Sequence, residues 1–365
     1  MIGLRDVYLV LSAMVPLYIP LGLGYGSVRW WGVLNPEHCN GINRVVALFT
    51  LPLFTFNFTA SIDPFTMNFR FLGADALSKV FVVAAVALWA KTRGTCCKGP
   101  ACSWAITGFS LSTLTNTLVV GVPLLKAMYG GIAQDLVVQV SVIQAIVWLS
   151  ILLFVLECRS SCINGGVVVA SETVGNEGSH VAVDVAGTDT GVKVVQVHKR
   201  PSLGSLMKVV WRKLALNPNS YASIVGVIWA FISSRWHFSM PLLMENSVSM
   251  MAKAGSGMAM FSMGLFMASQ EKLIGCGPSL TVLSMVLRFL AGPAAMAVAS
   301  IAVGLHGDVL HIAIIQAALP QSITSFIYAR EYGLHAEVLS TAVIFGMLVS
   351  LPVLIAYYVV LELLR

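Results

Sequence analysis

The sequence predicts an all-α polytopic membrane protein with ten transmembrane helices, arranged as two inverted five-helix repeats with broken crossing helices 4 and 9. Three observations lead to this fold class. Only 10% of the 365 residues are charged, against about 25% in a soluble domain, and the mean hydropathy is +0.84. Ten apolar runs approach the roughly 20 residues that a helix needs to cross a bilayer. A polar segment divides these runs into five and five.

The predicted helices follow in chain order from apolar runs that polar, glycine-rich or proline-containing segments separate. They cover residues 7–28, 42–61, 71–91, 103–128 and 134–158 in the first half, and residues 218–236, 246–269, 278–303, 309–330 and 336–362 in the second. We therefore expect a first membrane repeat over 1–158, a central loop over 159–205 and a second membrane repeat over 206–365. The loop lacks large apolar residues, which predicts disorder, with a short strand at 191–197. A basic amphipathic helix from Leu206 to Leu216 is expected to lead the second repeat at the membrane surface.

Basic residues orient the predicted helices. With the N-terminus on the non-cytosolic side, 14 of the 22 lysines and arginines fall in cytosolic segments, five on the opposite side and three within spans. Cytosolic segments carry the excess of lysine and arginine, so both termini are predicted to be non-cytosolic and the central loop cytosolic. Five helices per half is an odd number, so the second half enters from the opposite side as an inverted repeat. Because the net charge of +6 arises in loops, it does not indicate nucleic-acid binding.

Two predicted helices contain polar, helix-breaking stretches. Helix 4 carries Leu-Thr-Asn-Thr over 114–117 and helix 9 carries Leu-Pro-Gln-Ser over 319–322, so each has a leucine, a breaker or small residue, a carboxamide and a hydroxyl. Irregular backbone survives at membrane depth only where it lines a cavity or is buried in protein. Interrupted helices at matching places in two halves point to a transporter's binding site. The predicted break residues are Thr115, Pro123 and Pro320.

The half-helices that follow the breaks present free N–H groups and a partial positive charge, which together favour an anion. Asn116 can donate a carboxamide hydrogen bond to a carboxylate, and Gln321 is its counterpart in helix 9. The alternative is that both carboxamides only satisfy backbone that the breaks expose. Gln144, polar in an otherwise apolar helix 5, either faces the cavity or pairs with another helix.

Charged residues within spans are functional candidates because their burial is costly. Asp75 and Lys79 are spaced i, i+4 in helix 3, which suits either a structural ion pair or a coupling pair that changes protonation during transport. Arg288 in helix 8 either snorkels to the membrane surface or contributes to substrate charge. Neither broken stretch contains an acid, which argues against a bound coupling cation. Since no metal motif, phosphate loop or catalytic triad is present, we expect no cofactor, no metal and no enzyme activity.

Motifs in both membrane halves form one family pattern: Val15-Pro16-Leu17-Tyr18, Cys39-Asn40-Gly41-Ile42-Asn43, Thr107-Gly108-Phe109-Ser110, Asn116-Thr117-Leu118, Gly121-Val122-Pro123-Leu124-Leu125, Asn217-Pro218-Asn219-Ser220-Tyr221, Gly257 to Ala268, Gln316 to Gln321, and Arg330-Glu331-Tyr332. With these motifs the chain resembles the PIN-FORMED auxin efflux carriers of plants. The short central loop is similar to that of the family's short-loop branch. That likeness implies the endoplasmic reticulum membrane, with the plasma membrane as the alternative.

The resemblance implies an elevator-type carrier for anionic auxin, indole-3-acetate, and related indole or aryl carboxylates, without obligatory ion coupling. It implies a scaffold of helices 1, 2, 6 and 7, a transport unit of helices 3–5 and 8–10, and a homodimer. The family's site residues fall on Asn116 and Gln144 for the substrate, Leu51 and Ile323 for its apolar ring, and Asp75 and Lys79 for the acid–lysine pair. The family usually has proline where this chain has Thr115. The competing interpretations are a proton- or cation-coupled organic-anion symporter that uses Asp75 and Lys79, and a receptor that binds without transport.

Overall fold

The computed structural model describes residues 4–92, 100–164, 203–270 and 274–363, which are helical through most of their length. The helices are α1 (Leu4–Arg29), α2 (Pro36–Val45), α3 (Leu51–Ala60), α4 (Phe69–Thr92), α5 (Pro100–Thr113), α6 (Val122–Tyr129), α7 (Gly131–Ile143), α8 (Leu149–Asn164), α9 (Leu203–Ala215), α10 (Pro218–Trp236), α11 (Leu242–Ala268), α12 (Pro278–Val286), α13 (Gly292–Val303), α14 (Gly307–Ala317), α15 (Ile323–Glu331) and α16 (Ala336–Leu363). Helices therefore occupy all ten ranges in which the sequence predicted a span. The predicted amphipathic helix is α9.

One predicted boundary differs from the structure. Helix α8 continues to Asn164 and α9 begins at Leu203, so helix covers both ends of the segment 159–205 that we expected to be disordered. The physical reason at the first end is that no glycine or proline interrupts the chain before residue 165. The remainder of that segment, including the predicted strand at 191–197, lies outside the described residues.

Six of the described helical stretches are long and apolar enough to cross a membrane. These are Val10–Arg29, Pro36–Ala60, Phe69–Thr92, Gly131–Ser160, Pro278–Val303 and Ala336–Leu363. Two further apolar helices, Thr117–Tyr129 and Gly307–Ala317, are too short to span alone. Both lie in the two helices that the sequence predicted to be broken. The protein is therefore a polytopic membrane protein that combines long apolar helices with two interrupted ones.

Among the described residues, four short π-helical turns continue directly into an α-helix, and all of them except Thr117–Gly121 also follow one directly. Three of them end just before a proline, where the preceding residue's N–H donates to a carbonyl five residues back: Leu51 to Val46, Val122 to Thr117, and Gly292 to Leu287. Proline has no N–H and its ring clashes with the carbonyl four residues back, so a wider turn relieves the clash. The fourth turn, Gln144–Trp148, has no following proline. It places Gln144 at a local irregularity in the fifth predicted span.

Glycines set the closest helix contacts. A Cβ added at Gly264 of α11 would lie 2.1 Å from the carbonyl oxygen of Leu21 in α1, and one added at Gly24 would lie 2.2 Å from the carbonyl oxygen of Phe261. A Cβ at Gly226 of α10 would lie 2.8 Å from the Thr59 side chain in α3. Helices α1 and α11, and helices α10 and α3, therefore pack with their backbones close together.

Candidate functional site

The two interrupted stretches pair with each other through their backbones. Between α5 and the turn that begins at Thr117, residues 114–116 are not helical, and between α14 and α15 residues 318–322 are not helical. Thr115 and Gln321 form an antiparallel bridge. The N–H of Asn116 donates to the Pro320 carbonyl at 2.8 Å, and the N–H of Ser322 donates to the Leu114 carbonyl at 3.1 Å. The two stretches thus cross, and each satisfies the irregular backbone of the other. We call this region, residues 114–116 and 318–322, the crossing.

Gln144 holds the crossing from helix 5. Its Nε2 donates to the Thr115 carbonyl at 2.7 Å, and its Oε1 accepts from the Thr115 N–H at 3.3 Å. The Thr115 hydroxyl lies 2.6 Å from the hydroxyl of Thr117. Both Gln144 and Thr115 are buried. The break therefore forms without the proline that the family usually carries at this position, because a glutamine side chain supplies the partners that the backbone at Thr115 needs.

Gln321 is fully buried and also serves the crossing. Its Nε2 donates to the Ser110 carbonyl at 3.0 Å and to the Ser325 hydroxyl at 2.6 Å. Its Oε1 accepts from Arg288 at 3.3 Å. Among the alternatives that the sequence left open for Gln321, these bonds are those of a residue that satisfies the break. Its contact with a substrate stays a prediction.

Arg288 lies next to the crossing, and of the two alternatives that the sequence left open for it, snorkelling is wrong. The residue is 0% exposed. Its Nη1 donates to the carbonyls of Leu111 at 3.0 Å and Leu114 at 3.1 Å, and its Nη2 donates to the carbonyl of Ala317 at 2.5 Å. These carbonyls, at or just after the ends of α5 and α14, lack intrahelical partners, and they bind the guanidinium inside the protein. The sequence signal was a lone charge in an apolar span, but its partners are far away along the chain.

Asn116 differs from the other two carboxamides. It is partly exposed, and its side chain makes no hydrogen bond to any residue that the structure describes. Its backbone carbonyl accepts from the N–H groups of Val120 and Gly121, each at 3.3 Å. The first N–H groups of the half-helix after Asn116 have no intrahelical acceptor. A free carboxamide and a positive helix end therefore lie together on one side of the crossing.

Asp75 and Lys79 form a buried ion pair of 2.6 Å, as their i, i+4 spacing predicted. The Lys79 ammonium lies 5.2 Å from the centre of the Trp148 ring. The pair lines a small cavity with room for about one water molecule, together with Ser112 and Gln316 near the ends of α5 and α14. The buried Oε1 of Gln316 has no hydrogen-bond partner among the residues that the structure describes. The cavity lies between the ion pair and the last residues of α5 and α14, and sequence reasoning did not identify Gln316.

The remaining predicted residues lie around the crossing or apart from it. Pro320 is buried and supplies the carbonyl that Asn116 binds, and Pro123 lies in the first turn of α6. Ile323 begins α15 and Leu51 begins α3, and both are partly exposed. Over the described ranges, no three His, Cys, Asp or Glu side chains are grouped so that they could hold a metal ion.

A polar cluster joins α9 to the ends of α8 and α15. The Lys213 ammonium forms ion pairs with Glu157 and Glu331, each at 2.8 Å, and donates to the Tyr332 hydroxyl at 2.6 Å. Burial disfavours the charged ammonium, but the bonds to Glu157, Glu331 and Tyr332 outweigh it and raise the pKa of Lys213. The amphipathic helix is therefore fixed to the other helices and does not only rest on the membrane.

His335 lies next to this cluster, at the turn before α16. Its ring stacks on Trp104 with centroids 4.0 Å apart, and its Nδ1 lies 2.9 Å from the Thr107 hydroxyl. Burial and the positive charge of Arg159 lower the pKa of His335. The neutral imidazole is therefore the form that the folded protein favours.

Broken helices that cross among long apolar helices are typical of a membrane transport protein. Residues 9–358 match the family described as "Membrane transport protein". The chain is 60% identical to "Auxin efflux carrier component 5" of Arabidopsis thaliana over 99% of both chains. It is 59% identical to "Probable auxin efflux carrier component 5a" of Oryza sativa subsp. japonica over 100% of both, and 39% identical to "Auxin efflux carrier component 8" of Arabidopsis thaliana over 100% of both.

The chain belongs to the auxin efflux carrier family, and its length and short central segment fit the short-loop branch. It is accordingly a transporter and not an enzyme. The resemblance that the sequence motifs indicated is confirmed over both membrane halves.

Proposed function

We propose that this protein is a carrier for anionic auxin, indole-3-acetate, which it exports or redistributes by elevator-type alternating access without obligatory ion coupling. One observation carries the proposal: the Asn116 carboxamide is free at the crossing, beside the positive ends of two half-helices. A carboxylate would accept from Asn116 and from half-helix N–H groups, as anions do at helix N-termini. The names of the relatives, which are auxin efflux carriers, support this substrate class.

The proposed architecture is ten transmembrane helices in two inverted repeats. Helix packing supports this architecture, because α1 lies against α11 and α3 lies against α10. If α1 corresponds to α10 and α3 corresponds to α11 in the two repeats, these two contacts are the same contact seen from each repeat. Under this proposal those four form the scaffold, and the helices around the crossing move as the transport unit. Gln144 and Gln321 then hold the crossing, while Leu51 and Ile323 contact the aromatic ring of the substrate.

The proposal is tested with purified protein in liposomes loaded with labelled indole-3-acetate. Asn116→Ala removes one hydrogen bond to a charged group, worth about 1.5–3 kcal/mol, so affinity is expected to fall roughly 10- to 100-fold. Asn246→Ala, at an exposed position near the start of α11, is the matched control and should transport like the wild type. Equal transport by the wild type and Asn116→Ala would reject the site. No efflux by the wild type over empty liposomes would reject the substrate.

A proton- or cation-coupled organic-anion symporter is the second candidate, because the buried Asp75–Lys79 pair lines a small cavity beside the ends of α5 and α14, the two helices that lead into the crossing. In that case the pair would change protonation or partner in each cycle. Transport at a fixed membrane potential separates the two functions. The uncoupled carrier should keep its rate when the pH and sodium gradients are collapsed, whereas the symporter should stop, and Asp75→Asn should remove only the gradient dependence.

We propose the endoplasmic reticulum membrane as the location, with the plasma membrane as the alternative, and a homodimer as the working assembly. The short central segment supports the first, by likeness to the short-loop branch of the family. Both termini would be non-cytosolic and the central loop cytosolic. Tags at each terminus and in the loop, probed for protease access in sealed microsomes, test the topology, and chemical cross-linking in intact membranes tests the dimer.

A further inference from the structure

Arg288 is bound to the carbonyl ends of both interrupted helices at once. Leu111 lies in the last turn of α5, Leu114 directly follows that helix, and Ala317 is the last residue of α14. In the part of the chain that the structure describes, Arg288 takes part in no ion pair. The adjacent Asp75 and Lys79 neutralise each other. The fully buried guanidinium therefore leaves one positive charge uncompensated behind the crossing.

Four helix ends meet at the crossing, and by themselves they do not favour an anion. Helices α5 and α14 end there with C-termini, while α15 and the turn that begins at Thr117 start there with N-termini. A helix carries roughly half a positive charge at its N-terminus and half a negative charge at its C-terminus. The two negative ends therefore cancel the two positive ends. A guanidinium bonded to the negative ends removes their influence and leaves the positive ends dominant.

We propose that Arg288 is the residue that makes the crossing selective for anions, by neutralising the C-termini of α5 and α14 from behind while Asn116 and the N-terminal ends face the substrate. It is a positioning residue, because it acts on the substrate through the helix ends and does not contact it. This inference rests on the proposed function and names the source of the charge preference. It also explains how a carboxylate site can exist without an exposed basic residue.

The size of the effect follows from distance. Arg288 binds the carbonyl of Leu114, two residues before Asn116, so the guanidinium and an anion at Asn116 are separated by roughly 10 Å. At an effective dielectric constant of about 20, one pair of charges at that distance changes affinity about tenfold. A neutral ligand of the same shape should lose almost nothing.

The test is the ratio of two dissociation constants, measured on purified protein in detergent at pH 7.5. The probes are indole-3-acetate and its neutral analogue indole-3-acetamide. The variants are Arg288→Met, which removes the charge, and Arg288→Lys, which keeps the charge but not the fork of donors. Arg235→Met, at an exposed position in the last turn of α10, is the matched control for the same change.

The wild type and Arg235→Met should prefer the carboxylate by about tenfold or more. Arg288→Met should lose that preference by weakening carboxylate binding alone, and Arg288→Lys should retain it. Equal weakening of both ligands in Arg288→Met would mean a purely structural role and overturn the inference while the carrier function stands. If Arg288→Met does not fold, loss of the preference in Arg288→Lys, or a wild type that binds the amide as well as the carboxylate, overturns it. A wild type that binds neither overturns the proposed function.

Discussion

Replacing Gln144 by leucine tests whether this residue holds the crossing or contacts the substrate. The change removes the donor to the Thr115 carbonyl and the acceptor for the Thr115 N–H, both buried. Each unsatisfied buried group costs about 1–3 kcal/mol, but hydrogen bonds within membrane proteins average nearer 0.6 kcal/mol. We therefore expect a loss of about 2 kcal/mol in the free energy of unfolding.

The assay is thermal unfolding of the substrate-free protein in detergent, followed by transport in liposomes. Gln134→Leu is the matched control, since Gln134 lies in α7, which leads directly into the turn that holds Gln144, and its side chain has no hydrogen bond to a described residue. If Gln144 holds the crossing, Gln144→Leu must lower the unfolding temperature even in the absence of substrate. If Gln144→Leu unfolds like Gln134→Leu and only binds substrate more weakly, the reasoning from its bonds to Thr115 is refuted.

The remaining predictions concern packing and pH. Gly264→Ala places a Cβ 2.1 Å from the carbonyl oxygen of Leu21, although real Cβ atoms essentially never approach another atom within 3.0 Å. Helices α1 and α11 must therefore separate by at least about 0.9 Å, which should lower the free energy of unfolding by about 1–3 kcal/mol. Gly257→Ala, with open space at the same helix, should instead stabilise by about 0.4–1 kcal/mol; unfolding temperatures of the two variants check this, and an equal shift in both would contradict it. The pKa of His335 lies below its ordinary 6.5 in the folded protein, so the unfolded chain binds a proton first and stability is lost as pH falls below about 6.5. In His335→Asn, which tolerates the positive φ at this position, the unfolding temperature should fall less between pH 7.5 and 5.5, and parallel pH curves for the two proteins would exclude this role.

The positions of the breaks were readable from the sequence because local chemistry decides them. A carboxamide, hydroxyls and proline within an apolar span leave few regular structures open. The matched places of Asn116 and Gln321 in the two halves were also readable, but the backbone bond from Asn116 to Pro320 was not. The absence of proline at Thr115 was the difficulty, and it is resolved by Gln144, whose bonds join residues 29 positions apart. The local sequence around Gln144 or Thr115 does not indicate that the two residues are in contact.

The sequence could not predict the contacts between residues that are far apart along the chain. Arg288 is separated by 174 residues from Leu114, whose carbonyl it binds, so an isolated charge in a span is equally consistent with snorkelling and with burial. The same holds for glycines. Gly264 and Gly257 lie in one small-residue stretch, yet only the first meets another backbone, because the helix crossing point is set by the whole bundle.

The distribution of unsatisfied groups distinguishes the two sides of the crossing. The carboxamides of Gln144 and Gln321 both bind protein groups, and Arg288 closes the carbonyl ends behind them. An unsatisfied polar group at membrane depth is costly, so a fold that satisfies two carboxamides could have satisfied the third in the same way. Asn116 is instead left partly exposed with its side chain unbonded to any described residue. Its position and freedom together are the reason we propose that a ligand supplies the missing partner on this side of the crossing.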